Sequence, residues 1–370
     1  MHKLLSRIFA VVAFVAVVPV VAFASSSRVE GLGVPGDYVK DYSGINTYLS
    51  GVGSVGNLVW VNPGSDNSRG MGAVLQNLFE GRFGTWAINL HDAGNDLGAA
   101  TYDGNPFDSN TSTGEALDIT WGRKMGNGSL GLRFNRSYNS TENTGGTTTG
   151  NGNGDRNITG FGGGYGFALN SNTDAEVSVL YQNRSFNNGT VKENGGSAYQ
   201  VAGRAWVKSS SSLTLAPVVK IYSFDNSTIG VATGSTAVKN KTTGWSAGLA
   251  GNWALGSDDL FILGTQFSSN KNETTVDAKS SFMPDVFMGL ESKVNPWLTL
   301  RFGAHNSFQH RTENATTTVK DHQFSFNMGA GVKVGAFMFD ATMSNGFYNG
   351  PVNGVLNGNP FNRVSATYSF

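Results

Sequence analysis

From about Gly81 to Phe370 the chain alternates apolar and polar residues with a period of two, and no stretch in that span carries the 3.6-residue period of a helix. In "EALDITWGRKM", Leu117, Ile119 and Trp121 share one side, while Asp118, Thr120 and Lys124 share the other. In "SLGLRFNRSY", Leu130, Leu132, Phe134 and Tyr138 oppose Gly131, Arg133 and Asn135. The pattern recurs in "AEVSVLY", "AYQVAGRAWVK", "WLTLRFGAHNS" and "HQFSFNMGAGVKVG", and it persists to the end in "VSATYSF". A loose tail has no reason to alternate. A strand between two unlike environments does.

The connections also alternate. "KMGNGS", "LNSNTD", "KSSSS", "ALGSDD", "SKVNPW" and "KVGAF" are short. "STENTGGTTTGNGNGDRN", "DNSTIGVATGSTAVKNK", "SSNKNETTVDAKS" and "HRTENATTTVKDHQ" are long and polar. Short turns at one end and long loops at the other mark a transmembrane barrel; a soluble sandwich needs no such bias. Aromatic residues near the strand ends, among them Trp121, Tyr138, Tyr165, Tyr181, Trp245 and Phe361, fit interfacial girdles. The opposite face is too polar for a dry core, so it lines water or pairs internally. A spanning sheet cannot leave its edges unpaired, so the last strand must close on the first. The expected fold is all-β: an antiparallel transmembrane β-barrel of 14 or 16 strands with short periplasmic turns and long extracellular loops.

The two counts differ in how residues 25–80 are used. Fourteen segments begin near residues 83, 115, 129, 157, 175, 197, 212, 242, 260, 281, 297, 322, 336 and 361. "GNLVWVNPGSDNSRGMGAVLQNLFEG" reads as one more hairpin, or residues 25–80 fold inward as a plug. Upstream, Lys3 and Arg7 precede the apolar run Ile8 to Val21 and the small-x-small triplet Ala22-Phe23-Ala24, so residues 1–24 read as a secretory signal peptide. The domain reading is therefore a leader at 1–24, an N-terminal segment at 25–80 and a barrel at 81–370.

Composition narrows the function. The 26 basic residues match 26 acidic ones, and loss of Lys3 and Arg7 leaves about −2. That argues against a nucleic-acid partner, which calls for a basic stripe. No cysteine is present, which excludes disulfides, thiolate metal sites and a lipid-modified cysteine.

The leader, the alternating hairpins and a final strand ending Tyr368-x-Phe370 resemble bacterial outer-membrane barrel proteins. The resemblance covers roughly Gly81 to Phe370. It implies the outer membrane of a Gram-negative-type bacterium, with outer-membrane lipid and lipopolysaccharide as surroundings. It also implies that Tyr368 and Phe370 form the signal read by the barrel-assembly machinery. A homotrimer is one arrangement this class permits. The triplet Asn62-Pro63-Gly64 resembles one in the long-chain fatty-acid transporter family, which implies fourteen strands and an N-terminal plug.

Strand parity points Lys124, Arg133, Arg184, Arg204, Lys208, Lys220, Arg301, Lys333 and Arg363 into the lumen, with Asp118, Glu176, Asp285, Glu291 and Asp340. Such an interior favours anions. In "GFGGGYGFA", Gly160, Gly162, Gly164 and Gly166 make a bare inner wall; strand curvature is the favoured reason, and room for a plug, a loop or a solute is the alternative. "GWSAGLAGNW" likewise turns Gly244, Ser246, Gly248 and Ala250 inward.

The expected function is a porin-like channel for passive diffusion of small hydrophilic solutes, with no cofactor. The rivals are a closed structural or adhesive barrel and a plugged transporter of hydrophobic solutes. A lipid-modifying enzyme is the third reading. Its basis is His305 and Ser307, two apart on one strand face, a spacing that resembles outer-membrane phospholipases and lipid A deacylases. Those enzymes face lipid, whereas this pair points inward and has no third member evident in sequence, so no enzyme is expected. None of the histidines His2, His91, His305, His310 and His322 forms a metal spacing with another His or carboxylate at strand i, i+2, so no metal site is expected.

Overall fold

The computed structural model describes residues 26–63, 70–76, 78–92, 115–141, 154–187, 189–274, 278–314, 317–343 and 361–370. The leader, Gly64 and the connectors 93–114, 142–153 and 344–360 lie outside the described residues. The strands are β1 (Leu58–Asn62), β2 (Gly70–Leu75), β3 (Thr85–Asp92), β4 (Glu115–Met125), β5 (Gly128–Thr141), β6 (Gly154–Asn170) and β7 (Thr173–Asn187). They continue as β8 (Val191–Glu193), β9 (Ser197–Lys208), β10 (Leu213–Asp225), β11 (Thr228–Gly230), β12 (Ala237–Val238) and β13 (Asn240–Leu255). The last six are β14 (Asp259–Thr274), β15 (Ala278–Asn295), β16 (Leu298–Asn314), β17 (Thr317–Val334), β18 (Phe337–Met343) and β19 (Phe361–Ser369).

Sixteen of these strands form one antiparallel ring, and β8, β11 and β12 pair beside it within the outer loops. The ring closes where β1 pairs with β19, Leu58 opposite Ser369 and Val61 opposite Ala366. No strand of the ring is thereby left as a free edge strand, as a hydrocarbon environment demands. Outward positions such as Val177, Val179, Ile221, Leu263 and Met288 are exposed apolar side chains. Their neighbours Ser178, Gln182, Lys220, Gln266 and Asp285 are buried inside. This inversion, greasy outside and polar within, is the reverse of a soluble protein.

The short turns use glycine where the backbone enters the left-handed region, as at Gly126 (φ 58°) and Gly335 (φ 62°). At the other end the strands run further than their composition suggests. β14 extends through "NKNET" to Thr274, and β16 extends to Asn314. Both stretches are polar on both faces. Ladder pairing needs no apolar side once the strand has left the hydrocarbon, so segments that read as loops are protruding hairpins.

Residues 26–57 and 58–75 have different fates. Helix α1 (Ser26–Leu32) is followed by 3-10 turns at Gly36–Tyr38, Tyr42–Asn46 and Leu49–Ser54, while β1 and β2 are ring strands. The N-terminal segment thus supplies both an internal plug and the first hairpin, and the ring count is sixteen rather than fourteen. The plug's local turns follow from its sequence. Gly33 (φ 61°) ends the helix, its N–H donating to the Glu30 carbonyl. Pro35 follows, and the Asp41 carboxylate caps the next turn by accepting from the Ser43 N–H at 2.8 Å.

Candidate functional site

The plug is too short to enclose a core of its own, and it buries its apolar residues against the barrel wall. Leu32, Val34, Tyr38 and Val39 pack with Trp206, Val218, Ile262 and Phe287. Tyr42, Ile45, Val52 and Val55 pack with Leu58, Trp60 and Val74. Leu49 packs with Ile158, Leu180, Tyr222 and Phe224.

Glycines in the wall admit the plug backbone. A Cβ on Gly131 would meet the Leu49 carbonyl, and one on Gly303 would meet the Leu32 carbonyl and the Gly33 nitrogen. The bare wall of β6 has the same use. A Cβ on Gly164 would lie 3.2 Å from the Leu49 Cβ, and one on Gly166 would lie 3.1 Å from the Ser50 Cβ. A Cβ on Gly248 would strike the Tyr38 hydroxyl. These glycines are places where the plug passes close to the wall, so the plug accounts for them more directly than curvature does.

Buried charges fix the plug on several sides. Arg28 donates to Glu291 through both Nε and Nη2 at 2.6 Å. Glu291 also accepts from Arg301 at 2.6 Å, and Arg301 reaches Asp340 at 2.7 Å. Across the lumen, Lys220 meets Asp37 at 2.6 Å. Arg204 donates to Glu176 at 2.7 Å and to the Asp37 carbonyl at 2.9 Å, while its guanidinium lies 3.8 Å from the centre of the Tyr48 ring. Arg133 binds Asp118 at 2.7 Å and the Asn46 carbonyl at 3.2 Å. Ser178 and Thr342 donate to the Thr47 and Ser27 carbonyls. Burial, with Asp37 nearby, pushes the Tyr48 hydroxyl well above the ordinary phenol range, so it stays neutral.

All fourteen inward-pointing ionisable residues named from sequence lie on the inner parity of their strands, and the structure shows what they meet. Arg363 pairs with Glu30 at 3.3 Å, and Arg184 pairs with Glu193 of β8. Lys124 and Lys208 are exposed at the periplasmic rim, and Lys333 is half-buried near it. The cation excess in the mid-section is therefore answered by Glu30, Asp37 and Glu193. Sequence reasoning missed these three together with Arg28. They lie in the plug and an outer loop, where no strand period predicts a facing partner.

Asp285 contributes differently. It stands in register with Ser307, and its Oδ1 lies 3.7 Å from His305 Nε2. The third group that sequence did not reveal thus comes from the neighbouring strand, facing the lumen. Outside, Tyr368 stacks near Phe337 and Phe370, with ring centres 4.7 and 5.9 Å away, and both girdle residues face outward. Beneath the plug a cavity of about 680 Å³ is lined by Lys40, Tyr48, Gly53, Lys124, Glu176 and Trp206, among others, next to the turn residues Asn127 and Gly128.

A closed ring with an apolar coat and a polar, plugged interior defines an outer-membrane β-barrel protein. No protein-family model matches the chain, and no curated protein matches it. Among solved structures it is similar in fold to a FadL homologue of Pseudomonas aeruginosa, at 11% identity and a TM-score of 0.48, over 94% of this chain and 99% of that one. The TodX monoaromatic hydrocarbon channel matches at 7% identity and a TM-score of 0.41, over 92% and 99%. The copper transporter OprC matches at 11% and 0.47, over 69% of this chain. The chain spans about half the length of the larger barrels it matches, 49% of OprC and 46% of P. aeruginosa FpvA.

Proposed function

We propose that this protein is a gated outer-membrane transporter for small hydrophilic solutes, closed at rest by residues 26–57 and opened when they leave the wall. The observation that carries this reading is the plug itself, seated in a notched wall and tied by buried charges on several sides. A sixteen-strand ring without it would enclose an aqueous channel. An open porin has no use for such a fit, and an adhesive barrel has no use for a polar cavity beneath the seal. Paired lumen charges leave little basis for anion preference. On the same reading the protein sits in the outer membrane of a Gram-negative-type bacterium. The barrel-assembly machinery would recognise Tyr368 and Phe370, and Phe370→Ser is expected to lower the amount of assembled barrel on immunoblots of outer membranes.

The cysteine-free chain allows a direct test of gating. Ser50→Cys with Gly166→Cys places two Cβ atoms about 3.1 Å apart, which a shift of a few tenths of an ångström brings to disulfide spacing. Oxidation is expected to abolish solute flux in proteoliposomes, and reduction is expected to restore it. Equal flux in both states would end the gating reading.

A further inference from the structure

We propose that Asp285 and His305 form a transit site for a divalent transition-metal ion in the outer vestibule, which would place such ions among the solutes carried. This deepens the transporter reading and rests on it for the word transit. The binding site itself stands on geometry.

His305 Nε2 and Asp285 Oδ1 face each other at 3.7 Å. That is too far for a hydrogen bond. It suits two ligands of one ion, since imidazole and carboxylate bonds to zinc of about 2.0–2.2 Å span such a gap at a wide ligand–metal–ligand angle. Neither atom has a hydrogen-bond partner, and both are shielded from solvent. Both ligating atoms are covered in this conformation, but the rest of the imidazole is about a third exposed, so a rotation of the ring would present Nε2 to an arriving ion. Two buried polar atoms that face each other without a hydrogen bond are costly unless something between them satisfies both.

The surroundings agree. Ser307 stands across from Asp285 and shares the His305 face, and the adjoining inward positions Gln323, Ser325 and Asn327 are neutral polar groups able to hold the ion's waters. Tyr38 of the plug donates to Gln266, which is in register with Asp285 on the other side. The site therefore lies at the plug's outer boundary. Two protein ligands make a weak site, and weakness suits cargo: an ion must bind well enough to enter and loosely enough to leave. Imidazole with carboxylate favours copper, nickel or zinc over magnesium or calcium. The pair escapes motif scanning because its members lie on neighbouring strands.

The test is Cu²⁺ titration of the purified full-length barrel in detergent, followed by isothermal calorimetry and by electron paramagnetic resonance for nitrogen coordination. Asp285→Asn and His305→Gln are each expected to weaken binding by about tenfold or more, a loss that even outer-shell changes at metal sites reach. Nitrogen coupling from this site should vanish in His305→Gln, whereas His310→Gln should leave it intact. Each variant is compared only after its folded, heat-resistant band in gel electrophoresis matches the parent. Unchanged Cu²⁺ affinity in both variants, or no saturable binding below roughly millimolar ion, would overturn the site. Binding that needs both residues, without ion uptake into proteoliposomes, would keep the site and remove its role in transit. Staple-sensitive flux of other solutes without Cu²⁺ binding would do the reverse.

Discussion

Gly303→Val is expected to turn a closed barrel into a conducting one. The new side chain would occupy the space now filled by the Leu32 carbonyl and the Gly33 nitrogen, and the clash is with backbone, which cannot rotate away. Valine suits a strand better than glycine, so the ring should accept the change while the plug does not. Single-channel recordings in planar bilayers should show steady conductance where the parent shows rare openings, with the barrel's β-sheet circular dichroism unchanged. The same variant carrying Ser50→Cys and Gly166→Cys should crosslink poorly. Quiet membranes together with efficient crosslinking would mean that the plug is not seated against β16 as described.

Arg28→Ala should open the same gate through charge rather than volume. Arg28, Glu291, Arg301 and Asp340 form a buried set of two cations and two anions. Buried ion pairs add little net stability when complete, but removing one partner strands the other and costs about 3–5 kcal/mol. That cost falls on plug docking, because Arg28 is the only member of the set contributed by the plug. A loss of that size raises the undocked-to-docked ratio by roughly two to four orders of magnitude. Open probability in bilayers measures it, as does protease cleavage within residues 26–57. Adding Glu291→Gln to Arg28→Ala removes the surplus anion and should recover part of the loss, a coupling that a mutant cycle reads directly. If Arg28→Ala leaves both open probability and cleavage at parental levels, the charge set does not hold the plug.

Much of the barrel is visible in its sequence because each strand carries its own evidence. Leu130, Leu132 and Phe134 against Gly131, Arg133 and Asn135 declare a strand and its two faces without reference to any distant residue. The ring count was harder to read, because β1 and β2 are only 5 and 6 residues long and so repeat the period no more than three times. The plug was legible only as an alternative use of residues 25–80, and its contacts were hidden for a different reason. Arg28 and Glu291 are 263 positions apart, and Ser178 reaches the Thr47 carbonyl across 131. Nothing local in "SSRVEGLGVPGDYVK" announces such partners. The glycines of β6 were noticed, but their purpose depends on Leu49 and Ser50 arriving from outside the sheet. Asp285 and His305 are each ordinary on their own strands and become a pair only through register.

The seam between β1 and β19 has a consequence for biogenesis. The earliest and the latest strands to be synthesised are the ones that must meet, so no partial product can become watertight. A nascent chain has to be sheltered as an unclosed sheet, its two raw borders shielded from one another and from neighbouring chains, until β19 emerges.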